Sequence, residues 1–86
     1  MPTISIFSGL IIQMYFDEHN PPHIHVRYQS DTAVFNIQSG DMTEGGLSKR
    51  NIRLVQAWIE LHREDLLANW ELCRNDEHPH KIEPLK

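Results

Sequence analysis

Two consecutive prolines, Pro21 and Pro22, constrain the fold of this chain more than any other feature of its sequence. Each proline fixes its φ angle at about −65° and lacks an amide hydrogen, so a strand ladder cannot continue through the pair. Asn20, which precedes them, is driven toward extended backbone geometry. Apolar runs lie on both sides, so the sequence predicts a stiff loop over 17–22 that leads directly into a strand.

The first half of the chain alternates between apolar and polar residues, a pattern that is typical of strands. In the first predicted strand, Ile4 and Ile6 are expected to share one face. The dipeptide Ser39-Gly40 predicts a hairpin turn near the end of this half. The predicted strands cover 3–7, 10–16, 23–28, 31–37 and 41–44.

The second half has helical periodicity, with apolar residues at every third or fourth position from Lys49 to Arg74. Ser48 is a suitable N-cap, and neither Gly nor Pro interrupts the run. The pattern predicts one long helix or two abutting helices, with the bend at 62–65.

Strands followed by helix define an α+β fold: a four- to five-stranded, mostly antiparallel sheet with the helical part packed on one face. The 86 residues predict one domain, with the sheet over 3–44, the helical part over 48–75 and an irregular tail over 76–86. Within the tail, we expect 78–80 to be disordered and Ile82 to dock on the core. A domain of this size buries a small core, which makes a homodimer an expectation.

Charge and hydropathy narrow the classes of function. The net charge is −4 and the sequence has no basic stripe, which argues against a free-standing DNA-binding module. No apolar run approaches the roughly 18 residues of a membrane span, and the start lacks the basic residues of a secretory signal. We therefore expect a cytoplasmic location and no membrane partner. A single cysteine, Cys73, excludes an internal disulfide.

Three of the six histidines, His19, His23 and His25, lie in the proline loop and the strand after it. In a strand, His23 and His25 project to the same face about 7 Å apart, and His19 is close enough in sequence to fold back toward them. Asp17 or Glu18 would add a carboxylate. If a divalent metal such as zinc is bound, the predicted ligands are His19, His23, His25 and Asp17; otherwise no cofactor is expected.

The same residues also suit acid–base chemistry without a metal. One histidine of His19, His23 and His25 would take the 2′-hydroxyl proton of RNA, and another would protonate the leaving oxygen. Arg27, on the same predicted strand face, would stabilise the charged phosphorane. A structural interpretation stays open as well, in which Asn-Pro-Pro forms a turn and the histidines are half-exposed strand residues.

Four segments of the chain resemble a family of short bacterial proteins of unknown function: Met1–Ser5, Met14–Val26, Trp58–Arg63 and Asn69–Glu71. The run Asn-Pro-Pro-His-x-His over 20–25 is the most distinctive of them. Some members are labelled DhiT-type toxins of type II toxin–antitoxin modules. The resemblance implies a toxin-like component that a small antitoxin-like protein neutralises, and it assigns no catalytic residue.

The loop and the resemblance together predict a toxin-like component. The first hypothesis for its activity is that it is a ribonuclease, with RNA as substrate. Two alternatives remain: a non-catalytic protein-binding module and a metal-binding regulator that uses the same histidines. Whether the protein is an enzyme is left open by the sequence.

Overall fold

The computed structural model describes residues 2–16 and 18–85, and it confirms the predicted α+β fold. Five strands form one sheet in the order β1-β2-β3-β4-β5, each antiparallel to its neighbours, and a long helix follows. The elements are β1 (Thr3–Phe7), β2 (Leu10–Gln13), β3 (His23–Tyr28), β4 (Asp31–Asn36), β5 (Met42–Gly45) and α1 (Lys49–Arg74).

One face of the sheet is apolar and forms the core together with α1. The buried side chains of the three central strands are Leu10, Ile12, Ile24, Val26, Ala33 and Phe35, and those of the helix include Val55, Trp58, Ile59, Leu66 and Trp70. The rings of Phe7 and Trp58 lie 5.5 Å apart between centroids and join the two layers at β1. The helix therefore covers one face of the sheet, as predicted.

Two details of the first strands differ from the prediction. A β-bulge between Thr3 and Ser5 shifts the register of β1, so Ile4 is 1% exposed and Ile6 is 59% exposed instead of sharing a face. The second strand ends at Gln13, three residues earlier than expected. The hydrogen-bond ladder between β2 and β3 cannot continue past the start of β3, because the two residues before β3 are prolines without amide hydrogens.

The helix begins where the sequence predicts. The Ser48 hydroxyl accepts a hydrogen bond from the Asn51 amide at 3.2 Å and caps the first turn. Helical geometry is broken once among its 26 residues, at His62, where φ is −121° and ψ is 21°. The His62 ring lies 5.6 Å from the Trp58 ring, and its Nδ1 is 4.0 Å from the carboxylate of Asp65. The chain thus forms one long helix with a kink inside the predicted bend.

The tail is irregular, as predicted, but the expectation of disorder at its centre is wrong. The side-chain amide of Asn69 donates to the carbonyl of His80 at 2.8 Å and accepts from its backbone amide at 2.9 Å. Ile82 is buried, and its amide donates to the carbonyl of Ile4 at 2.8 Å. A buried helix residue therefore fixes the tail, through contacts that span too many residues for a local pattern to show.

The face of the sheet opposite α1 is open. The strand β3 is central in the strand order, and Gln13, His25 and Val34 lie side by side across β2, β3 and β4. His25 therefore occupies the middle of the open face. No helix in the described part of the chain combines the length and the apolar character needed to cross a membrane.

Gly45 provides a test of how closely β5 lies against β4. Its φ angle is +81°, and a Cβ built on it would overlap the carbonyl oxygen of Thr32 and lie 2.7 Å from the Cα of Ala33. We expect Gly45→Ala to lower the free energy of unfolding by about 2–4 kcal/mol, because backbone strain and overpacking add.

Gly46→Ala is the matched control for this substitution, since a Cβ there meets nothing within 4 Å. Its free energy of unfolding should stay within about 0.5 kcal/mol of the wild type. Urea denaturation of both variants measures the difference. Equal midpoints for the two would contradict the close approach of β5 to β4.

Candidate functional site: a carboxylate and two imidazoles beside a polar groove

The proline loop is anchored to the rest of the fold from two directions. The carbonyl of Pro22 accepts a hydrogen bond from the Ile37 amide at 2.9 Å, which fixes the loop to the chain just after β4. The side-chain oxygen of Asn20 accepts from Trp70 Nε1 at 3.3 Å, which fixes it to α1. The peptide bond that follows Asn20 is cis. The start of β3 is therefore held in place on both the sheet side and the helix side.

Glu18, His23 and His25 converge at this end of β3, and we call them the His/Glu cluster. One donor atom from each lies within 4.8 Å of the other two. His25 Nε2 is 2.7 Å from Glu18 Oε1, and His23 Nε2 is 3.5 Å from the same oxygen. The two imidazole rings meet edge to face with centroids 5.2 Å apart. Three groups that can bind a proton or a metal ion thus lie close together.

The orientation of His23 is fixed through its second nitrogen. His23 Nδ1 lies 2.8 Å from the carbonyl oxygen of Pro21. Because a carbonyl can only accept, Nδ1 carries a hydrogen, and a neutral His23 ring keeps its lone pair on Nε2, which faces Glu18. The ring also lies 5.0 Å from the ring of Trp70.

His25 is held between an aromatic ring and a carboxylate. The Tyr15 ring stacks on it with centroids 4.1 Å apart and an interplanar angle of 28°. The Tyr15 hydroxyl donates to Gln13 Oε1 at 3.3 Å, and Gln13 is the cross-strand neighbour of His25. Because a carboxylate can only accept, the hydrogen bond to Glu18 is donated by His25 Nε2.

Glu18 is a carboxylate at neutral pH. Its partial burial alone would raise its pKa, because burial penalises the charged form. The hydrogen bond from His25 and the positive charges of His23 and His25 act in the opposite direction and outweigh burial. The pKa of Glu18 is therefore lower than its ordinary value.

The cluster lies between two concave surfaces. A groove of about 490 Å³ on the open face is lined by His25, Arg27 and polar side chains of neighbouring strands. A second one, of about 280 Å³, is lined by His19, His23 and residues of β4 and β5. Glu44 lines both. The two concave surfaces thus adjoin at Glu44, and each is lined by one imidazole of the cluster.

The comparisons with known proteins place the chain in a family. The model of a family described as a domain of unknown function (DUF4160) matches residues 9–71, a range that includes the loop, β2 to β5 and most of α1. The chain belongs to this family. A comparison with curated proteins and a comparison with solved structures gave no match. Membership of DUF4160 confirms that the chain belongs to a family of unknown function, and it brings no activity with it.

The DUF4160 fold brings together some of the predicted site residues. His23 and His25 meet, whereas His19 is exposed and lies outside the His/Glu cluster of the described residues. Arg27 is exposed and lines the larger groove with His25. Asp17 falls outside the described residues, and Glu18 supplies the carboxylate. The chemical roles of these residues stay predictions.

Sequence reasoning missed the residues that orient the cluster. Gln13 and Tyr15 alternate with the core residues of the second strand, so strand pairing would have placed them on the same face as His25. Trp70 lies in the helix and contacts both Asn20 and His23. A contact across about fifty residues leaves no trace in a local pattern.

Glu18 predicts how the stability of the metal-free protein depends on pH. A carboxyl group with a lower pKa in the folded state stabilises the fold above its ordinary pKa of 4.5. That contribution is lost as the pH falls through the folded-state pKa. We expect the urea midpoint of the wild type to fall more steeply below pH 4.5 than that of Glu18→Gln.

The exposed Glu64 offers a control that removes one negative charge outside the cluster. Chelator-treated wild type, Glu18→Gln and Glu64→Gln should be compared in the same series of buffers. Parallel curves for wild type and Glu18→Gln would show that the contacts of Glu18 with the histidines do not stabilise the fold.

Proposed function

We propose that this protein is a toxin-like ribonuclease that cleaves RNA by acid–base catalysis at the His/Glu cluster. One observation carries the proposal: two imidazoles with fixed orientations meet beside an open polar groove that also contains Arg27. Fixed rings matter because proton transfer requires the donor and the acceptor to be positioned before the reaction.

The two histidines suit opposite halves of the reaction. Neutral His23 keeps a lone pair on Nε2, because Nδ1 donates to the Pro21 carbonyl, so it acts as the base that takes the 2′-hydroxyl proton. The 2′-oxygen then attacks phosphorus, and the bond from phosphorus to the 5′-oxygen breaks. Protonated His25, whose positive charge Glu18 stabilises, gives a proton to that leaving oxygen. The products are a 2′,3′-cyclic phosphate and a 5′-hydroxyl.

Arg27 supplies the positive charge for the phosphate. It lies two residues after His25 on β3, so its Cα is about 7 Å further along the same face of the strand. A guanidinium binds two phosphate oxygens at once and stabilises the charge that develops during attack. The net charge of −4 gives little non-specific attraction for RNA. We therefore propose that the substrate is an RNA presented by the ribosome or by another protein.

The toxin role and its partner are supported by the resemblance of the chain to a family in which some members are labelled DhiT-type toxins. We propose that a small antitoxin-like protein neutralises the activity by covering the open face of the sheet. The groove and the cluster lie on that face, so a protein bound there would exclude RNA from both imidazoles.

A non-catalytic protein-binding module is the second candidate. It is favoured by an apolar strip on the same open face, where the exposed Ile6 is the cross-strand neighbour of the half-buried Ile11. In that case the partner would recognise the face itself, and the imidazoles would serve only to hold the start of β3.

Inducible expression in bacteria tests the ribonuclease. Wild type should arrest growth and produce RNA fragments with 2′,3′-cyclic phosphate ends. Both effects should fall by about 10²- to 10⁴-fold in His23→Ala and in His25→Ala, which each lack one proton-transferring group. His80→Ala is the matched control, because His80 is exposed and its hydrogen bonds with Asn69 are made by its backbone, which the substitution keeps.

Thermal melting of the purified variants shows whether they fold. Folded His23→Ala and His25→Ala proteins that still arrest growth would rule out catalysis by the cluster and favour the protein-binding module. Growth arrest without any cyclic-phosphate ends would rule out the ribonuclease.

A further inference from the structure

We propose that the His/Glu cluster binds one divalent ion of the borderline class, such as Zn²⁺, and that the bound ion blocks acid–base chemistry there. The ligands are Glu18 Oε1 and the Nε2 atoms of His23 and His25. The metal site stands on geometry alone, whereas the blocking effect rests on the proposed ribonuclease function.

Two of the three distances between donor atoms are close to those of a tetrahedral site. Zinc binds nitrogen and oxygen ligands at about 2.0–2.2 Å, which separates two ligands of a tetrahedron by roughly 3.4 Å. His23 Nε2 and Glu18 Oε1 are 3.5 Å apart and already fit. His25 Nε2 and Glu18 Oε1 are 2.7 Å apart, so this pair has to open by less than 1 Å.

The surroundings of the cluster resemble those of a metal ligand set. Histidines that bind metal usually donate their other ring hydrogen to a carbonyl or a carboxylate, which fixes the ring. His23 does so through Nδ1 to the Pro21 carbonyl at 2.8 Å. His25 is fixed in another way, by the Tyr15 ring stacked at 4.1 Å. Ligands that are already oriented lose little entropy when an ion binds.

The site is partly buried but open to ions in solution. The exposed fractions of the Glu18, His23 and His25 side chains are 28%, 17% and 26%. Two nitrogen donors and one oxygen donor favour Zn²⁺ or Ni²⁺ over Mg²⁺, which prefers oxygen ligands alone. Three protein ligands leave the fourth position of a tetrahedral ion for water.

Metal and proton transfer would compete for the same atoms. The lone pair of His23 Nε2 cannot hold an ion and also accept the 2′-hydroxyl proton. An ion at His25 Nε2 replaces the hydrogen that this nitrogen donates to Glu18, and the neutral ring then carries its hydrogen on Nδ1. The metal-bound His25 has lost the positive charge that makes it an acid. Occupancy by the ion therefore turns the proposed ribonuclease off.

Isothermal titration calorimetry of tag-free, chelator-treated protein with ZnCl₂ tests the metal site. We expect one Zn²⁺ per chain and a rise in melting temperature, with no heat from MgCl₂. His25→Ala and Glu18→Gln should each weaken zinc binding by at least about tenfold. Glu18→Gln keeps the size of the side chain and guards against a variant that fails to fold.

His19→Ala is the matched control, because His19 lies in the same loop but outside the cluster. His80→Ala controls for adventitious binding by the tail. Unchanged affinity in both His25→Ala and Glu18→Gln would overturn the proposal, as would the absence of any zinc binding by the wild type. Affinity lost in His19→Ala but kept in His25→Ala would also overturn it, because the ligands would be different.

The ribonuclease assay, run with chelator and with ZnCl₂, tests the blocking effect separately. We expect zinc to lower cleavage by at least about tenfold, and excess chelator to restore it. Cleavage that rises with zinc would overturn the blocking effect and indicate a metal-activated water instead. If neither sample cleaves RNA, the ribonuclease and the blocking effect both fail, while calorimetry still decides the metal site.

Discussion

The carbonyl oxygens of Pro21 and Pro22 position the start of β3 and the ring of His23. Proline has no amide hydrogen to give, but it keeps its acceptor. The Pro22 carbonyl binds the backbone just after β4, and the Pro21 carbonyl orients the ring of His23. The same dipeptide therefore ends the ladder of the second strand, positions the start of β3 and sets the direction of one imidazole. Without these two acceptors, His23 would keep its position along the chain but lose its orientation.

Core residues on the opposite face of β3 fix the position of the His/Glu cluster. Ile24 and Val26 alternate with the histidines along β3, and both are fully buried against the helix side of the sheet. A strand with such anchors cannot slip by one residue, because every side chain would then change faces. The apolar half of β3 thus determines where the polar half lies. The helix adds Trp70, whose indole reaches the loop at Asn20 and lies beside His23.

Periodicity predicted the parts of this fold that repeat. The alternation in 23–28 predicted that His23 and His25 share one face. The helical spacing predicted α1 and the bend, which the structure has at His62. Irregular features were missed for a physical reason: a bulge adds one residue to a strand without changing its composition. Ile6 therefore points away from the core although the pattern pairs it with Ile4.

Periodicity also fails to predict which loop residues form the candidate site. Asp17, Glu18 and His19 are all polar and adjacent, and the sequence offers no period that distinguishes among them. Among the described residues of the loop, Glu18 supplies a carboxylate to the cluster and His19 is exposed outside it. Contacts between distant segments, such as that of Trp70 with the loop, depend on how the layers pack and not on neighbouring residues.

The tail has a consequence for association between molecules. An edge strand exposes backbone groups that can pair with a strand of another chain. The first strand is one edge of this sheet, and there the Ile82 amide already occupies the carbonyl of Ile4. A foreign strand cannot add at that point without displacing the tail. Sheet extension from one molecule into the next at β1 therefore competes with a hydrogen bond that the tail already makes.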